Sequence, residues 1–265
     1  MRTRAVVVVG DKFANFGANK DVLTISQLRG FLSLPRELVL DRERIALIPG
    51  QGLSDGDVLE VSEKAAHSAV RASCDLSRWP MTAARAQKDL SHKHHPRNTM
   101  ISVPRRLNDD TYEIDVMIDD GCELMGDHQT GQHLQGMMIV EAARQAFIAV
   151  TELSIDASAV YEKYFVFDSL SVEYKRFMFP VSISLLCTID FMEKTANSYR
   201  FRMHIDAQQA GDLVATIAVT FGVVKYKSLS RIESTLATAC LEKYVKATTT
   251  PISENAPHPN TALAS

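Results

Sequence analysis

One apolar helix followed by four β-rich segments limits the possible architectures of this chain more than any other feature. Met137, Ile139, Val140, Ala143, Phe147, Ile148 and Val150 put apolar side chains around most of a helix, so that helix must be enclosed. Residues 164–172, 181–191, 199–205 and 213–226 are each rich in β-branched and aromatic residues, and Gly211-Asp212 and residues 194–197 mark tight connections between them. Ahead of the helix, residues 100–103 and 112–118 read as a hairpin about the turn Asn108-Asp109-Asp110. Two strands, a helix and four strands predict an α+β fold, an antiparallel sheet wrapped around one central helix.

The first 85 residues follow another pattern. Residues 5–9 form a continuous apolar strand that stops at Gly10-Asp11. Thr24 and Gln27 have capping-box spacing for a short helix that ends before Pro35. Residues 45–48 predict a second strand, Pro49-Gly50-Gln51-Gly52 a turn, residues 57–61 an extended piece and residues 62–73 a helix. No Gly-x-Gly-x-x-Gly or phosphate-loop lysine accompanies these glycines, so they read as ordinary turns. The expected division is a small α/β unit at 1–85, the sheet-and-helix domain at 86–228, and a helix with a disordered tail at 229–265, where Pro251, Pro257 and Pro259 cluster.

With 46% hydrophobic and 23% charged residues the chain is not disordered as a whole. A net charge of -3 lacks the positive field that nucleic acid or an anionic membrane demands, so neither is an expected partner. Cys74, Cys122, Cys187 and Cys240 are too scattered for a metal pair and read as reduced, buried thiols; no metal and no cofactor is expected. The early apolar run breaks at Gly10, short of a secretion signal or membrane span, and a cytoplasmic location is the expectation.

The chemistry concentrates in residues 127–145. Glu141 lies one turn into the apolar helix, where a carboxyl must be paired, hydrogen-bonded or held with a raised pKa. Arg144 and Gln145 share its face. Glu141 and Arg144 therefore read either as a buried ion pair that locks the helix or as members of an active site. Asp127, His128 and His133 just upstream, with Gly136 admitting a thioester carbonyl to helix-start N–H groups, favour the second. One of the two histidines is expected to be catalytic, and the residues leave open which.

The segment Gly136-Met137-Met138-Ile139-Val140-Glu141-Ala142-Ala143-Arg144-Gln145-Ala146, preceded by Asp127-His128 and His133, resembles the A-factor biosynthesis hotdog family, the γ-butyrolactone autoregulator synthases. His92-Lys93 and Pro96-Arg97-Asn98-Thr99-Met100-Ile101-Ser102 resemble the signature that opens each hotdog unit in that family. The resemblance implies a hotdog fold over residues 90–226 and transfer of a β-ketoacyl group from acyl carrier protein, or coenzyme A, to a small hydroxylated and phosphorylated acceptor. It implies Glu141 and Arg144 as essential residues; Glu141, His128 and His133 are the catalytic candidates, and Arg144, Gln145, Gly136 and Asp127 the substrate-binding ones. Family members usually carry two hotdog units in tandem, whereas this chain has one such helix, so a homodimer is expected to complete the site.

Two other readings compete. The helix also resembles that of β-hydroxyacyl-carrier-protein dehydratases, in which a histidine removes a proton and a helix acid protonates the leaving hydroxyl. A non-catalytic acyl-binding or scaffold protein, with residues 1–85 as a docking unit, is the third.

Overall fold

β1 (Arg2–Val9) is the expected first strand, and its unbroken valine run has a structural cause: its two faces enter different cores. In the computed structural model, which describes residues 2–38, 43–79, 84–126, 130–155, 163–195 and 198–249, Val6 and Val8 pack with Ile25, Leu28, Leu47 and Val61. Val7 and Val9 instead join the core built by the second half of the chain. A strand covered on both sides has no polar face to alternate with.

α1 (Ala14–Gly17), β2 (Val22–Thr24), α2 (Ile25–Leu32), β3 (Glu43–Pro49), α3 (Asp55–His67) and β4 (Cys74–Asp75) follow. The four strands run parallel in the order β2-β1-β3-β4. The Thr24 capping box forms: the Gln27 amide donates to Thr24 Oγ1, and Gln27 Oε1 accepts from the Thr24 amide. The extended piece expected at residues 57–61 does not exist; those residues are helical, and the helix ends at His67 instead of running to residue 73. Ser54 starts it with a second capping box, closed by Asp57 instead of the longer Glu or Gln that usually signals one.

The second half contains α4 (Lys88–Ser91), β5 (Arg105–Arg106), β6 (Thr111–Asp115), α5 (Gly136–Ser154), β7 (Lys163–Tyr174), β8 (Ser184–Lys194), β9 (Ser198–Gln209), β10 (Asp212–Lys225) and α6 (Tyr226–Thr249). Its sheet is antiparallel, in the order β5-β6-β8-β9-β10-β7. Along β9, Tyr199, Phe201, Met203, Ile205 and Ala207 alternate inward and meet α5 in one core. Phe147 of α5 has its ring 4.6 Å from that of Phe221 and 5.3 Å from that of Phe167. This is the expected α+β arrangement, a sheet around one helix. The hairpin is shorter than expected: residues 100–103 make only isolated bridges, Ile101 to Val116 and Ser102 to Arg85, because Pro104 cannot donate to a continued ladder.

β7 crosses from α5 to an outer edge of the sheet, where Tyr164, Val166, Phe167, Leu170 and Tyr174 remain exposed. α6 forms where an amphipathic helix was expected and buries no residue. Cys74, Cys122 and Cys187 are free and buried, but Cys240 is exposed because it rides on this helix. The tail expected to be disordered falls outside the described residues from 250 onward. No helix among the described residues is long and apolar enough to cross a membrane.

The two sheets are joined through Gln51, whose side chain stands in for a strand neighbour. Its Nε2 donates to the carbonyls of Val116 (2.9 Å) and Val181 (3.3 Å), and its Oε1 accepts from the Ile118 amide at 2.8 Å. Arg85 adds a second tie, from the Asp55 carboxylate to the carbonyls of Thr99 and Met117. A side chain at Gly10 would meet Gly52 O at 2.3 Å and Asp120 Oδ2 at 2.4 Å, so only glycine admits this contact. Asp120 Oδ2 accepts from the Lys12 amide at 3.2 Å, while Oδ1 is buried without a partner among the described residues.

Burial raises Asp120 from 3.8 to about 6, despite the Lys12 amide and ammonium, and Asp11 and Asp119 push the same way as burial. A carboxyl whose folded pKa lies above its unfolded one stabilises the fold below the unfolded value and loses that contribution as pH rises through the folded value. Asp120→Asn should therefore raise the melting temperature by a few degrees at pH 8 and by clearly less at pH 4.5, which lies between the two pKa values. Thermal melts of both proteins at the two pH values test this.

Candidate functional site

α5 begins without a side-chain cap: Gln135 occupies the N-cap position in extended conformation and makes no capping bond. Gly136 is its first helical residue, and the Tyr174 hydroxyl approaches within 2.8 Å of where a Cβ would stand, which explains the glycine. Gly136, at the positive end of the helix dipole, lines a cavity of about 380 Å³ together with His133, Tyr174, Lys175, Arg176 and Phe177. His133 is half-buried, its edge against the Phe177 ring at 5.0 Å and its Nδ1 3.1 Å from Thr130 Oγ1. Burial raises the Tyr174 phenol, which keeps it protonated and able to donate.

Glu141 stands in a separate network. Arg144 grips it with two bonds, Nε to Oε2 at 2.7 Å and Nη2 to Oε1 at 2.9 Å. Lys93 Nζ lies 2.6 Å and Gln145 Nε2 2.9 Å from Oε1. Burial alone would raise the Glu141 carboxyl, but the bonds from Arg144, Lys93 and Gln145 outweigh it and bring it from 4.5 down to about 2. Of the options its sequence position left, this is the paired one; Glu141 is ionised at any working pH. Gln145, fully buried, accepts from the Met100 amide at 2.8 Å and donates to Asn98 O at 2.9 Å, which fixes the start of the domain to α5. Three turns further on, Glu152 pairs with Lys163 and with His92, so the adjacent His92 and Lys93 hold two carboxylates of one helix.

The expected site residues thus fall into two groups. Glu141, Arg144 and Gln145 form one network, and His133 and Gly136 line one cavity. Asp127 and His128 lie outside the described residues. Lys93 and Tyr174 were not singled out as site residues. Lys93 stood visible in the His92-Lys93 signature; nothing in the chain marks a contact between Tyr174 and a glycine so distant in sequence. A larger cavity, about 890 Å³, lies between the two sheets beside Arg85 and Val116, and no histidine lines it. No group of His, Cys, Asp and Glu among the described residues is arranged to hold a metal ion.

Comparison with known proteins adds the family. The profile of the A-factor biosynthesis hotdog domain matches residues 74–225, more than half of the chain. The chain belongs to the A-factor biosynthesis hotdog family. Solved structures similar to this hotdog protein include a phenylacetic acid degradation-related protein of Ralstonia eutropha JMP134, with 17% identity over 45% of this chain and 83% of that one and a TM-score of 0.35. A mutant thioesterase of Pseudomonas aeruginosa shows 16% identity over 54% and 99%, with a TM-score of 0.39. A thioesterase of Haemophilus influenzae shows 16% over 47% and 78%, with a TM-score of 0.34. None of these likenesses assigns a residue of the hotdog protein a role. No curated protein matches the chain.

The network makes Glu141 a measurable support. Glu141→Gln leaves Lys93 and Arg144 side by side without their counter-charge and should cost about 1–3 kcal/mol, less than a fully enclosed pair because the network reaches solvent. A carboxyl with a depressed folded pKa contributes stability above its unfolded value and loses it as pH falls through the folded one. Denaturant unfolding should show the full gap between wild type and variant above about pH 4.5, closing as pH falls toward 2.

Proposed function

We propose that the protein is an acyltransferase that moves an acyl group from a thioester, carried on acyl carrier protein or coenzyme A, to the hydroxyl of a small acceptor. The observation that carries this reading is the uncapped start of α5 opening beside His133 into a cavity large enough for a thioester and its attacking hydroxyl. When His133 Nδ1 carries the proton and donates to Thr130 Oγ1, Nε2 keeps a lone pair for the acceptor hydroxyl. The hydroxyl oxygen bonds to the thioester carbon as its proton passes to Nε2, and the carbonyl oxygen gathers charge facing the Gly136 end of the helix. Collapse breaks the carbon–sulfur bond, and the departing thiolate takes the proton back from His133.

Glu141, expected as a possible base, is in this reading an anchor, since a carboxylate at about 2 accepts protons poorly and has none to give. The same fact weighs against the dehydratase alternative, which needs a protonated helix acid. Two cations, Lys93 and Arg144, share the single carboxylate of Glu141, and the surplus positive charge suits a phosphate on the acceptor or on the carrier arm. The exposed edge of β7, with its open backbone and apolar side chains beside the cavity, supports pairing with a second copy that covers the acyl chain.

Incubating the purified protein with a β-ketoacyl thioester and dihydroxyacetone phosphate, followed by mass spectrometry, tests the reading. A new ester whose yield falls about 100-fold or more in His133→Asn supports it. A free acid, a dehydrated thioester or an unchanged thioester sinks it, in favour of a hydrolase, a lyase or a binding protein.

A further inference from the structure

The N-terminal unit also reaches the loop that leads to His133. In open parallel sheets, the segments beyond the carboxyl ends of the strands present the groups that act. Beyond β1 lie Asp11 to Asn15 and α1, and they face the loop that leads to His133. Lys12 Nζ donates to Met125 O at 2.8 Å, before the undescribed residues 127–129. After them, Asn15 Nδ2 donates to Thr130 O at 2.6 Å and the Phe16 amide to Gly131 O at 2.9 Å, while Gln132 Nε2 donates to Asn15 O at 3.0 Å. Four bonds from one short stretch thus hold both ends of the loop, and the loop's own Thr130 holds Nδ1 of His133.

We propose that the N-terminal α/β unit is a brace for the active-site loop, and that Asn15 is a positioning residue that sets the orientation and tautomer of His133 through Thr130. The effect on catalysis rests on the reading of His133 as the base; the effect on the ring does not. Neither Lys12 nor Asn15 touches the cavity at the start of α5, so each acts through the loop alone. Removing the Asn15 bond lets Thr130 move, and Nδ1 of His133 loses its fixed hydrogen-bond partner.

The full chain carrying Asn15→Asp tests this: aspartate fills the same space and, ionised, donates nothing to Thr130 O. The backbone carbonyl that receives Gln132 stays in place. Long-range proton–nitrogen NMR of the histidine rings, assigned with His133→Asn, should show the Nδ1-protonated form of His133 in the wild type. In Asn15→Asp it should show a mixture of tautomers, at an unchanged melting temperature. In the acyl-transfer assay kcat should fall about tenfold with KM altered less than twofold, the split expected when a reacting group is misplaced and substrate contacts are kept. Asn15→Asp combined with Lys12→Met should deepen both effects. A His133 ring spectrum identical to wild type in both variants overturns the proposal, whatever the activity. A changed spectrum in a protein without transferase activity upholds the brace and removes only the acyltransferase reading.

Discussion

A carboxylate on a core helix can stay only if donors meet it from several directions, and much of this domain is arranged around that demand at Glu141. Arg144 and Gln145 come from the same helix, one turn on, and Lys93 from the segment that precedes the first strands. Because Gln145 also binds the backbone at Asn98 and Met100, the donors that satisfy the charge are the ties that seat this segment on α5. Glu152 repeats the device three turns away with His92 and Lys163. The helix is therefore greasy where it meets the sheet and ionic where it meets the preceding chain.

The second constraint is that β1 belongs to two cores. Its even-numbered valines serve α2 and α3, and its odd-numbered ones serve the core around α5, so the parallel sheet has no surface on which to part from its neighbour. Gln51 and Arg85 then satisfy carbonyls that the neighbouring sheet shields from water. A unit that resembles an appendage in sequence is part of the wall of the domain it accompanies.

How much of this was legible in the sequence depended on the range of the physics. α5, the four long strands after it and the Thr24 capping box were readable because each is written in a local pattern: helical spacing, β-branched runs, a hydroxyl three residues before a glutamine. The start of α3 was not, because Asp57 closes its box in place of Glu and Val58, Leu59 and Val61 in its first turns imitate a strand. The polar stripe at Glu141, Arg144 and Gln145 was visible from helical geometry, but its meaning was not. Arg144 does most to hold the carboxylate ionised, but the donor that adds to it, Lys93, arrives from far along the chain. Tyr174 against Gly136 and Asn15 against Thr130 are likewise contacts made by topology, and no spacing rule reaches them.

The register of β7 slips once, at its centre. Lys163 to Phe167 and Ser169 to Tyr174 each pair regularly with β10, and Asp168 is the extra residue between them, tethered to Arg200 at 3.5 Å. The bulge divides an otherwise open, apolar edge into runs of five and six residues with a charge at the joint, and the bend hinders flat strand addition along the whole edge. A flat strand from another molecule therefore meets a bend and a charge midway along this edge.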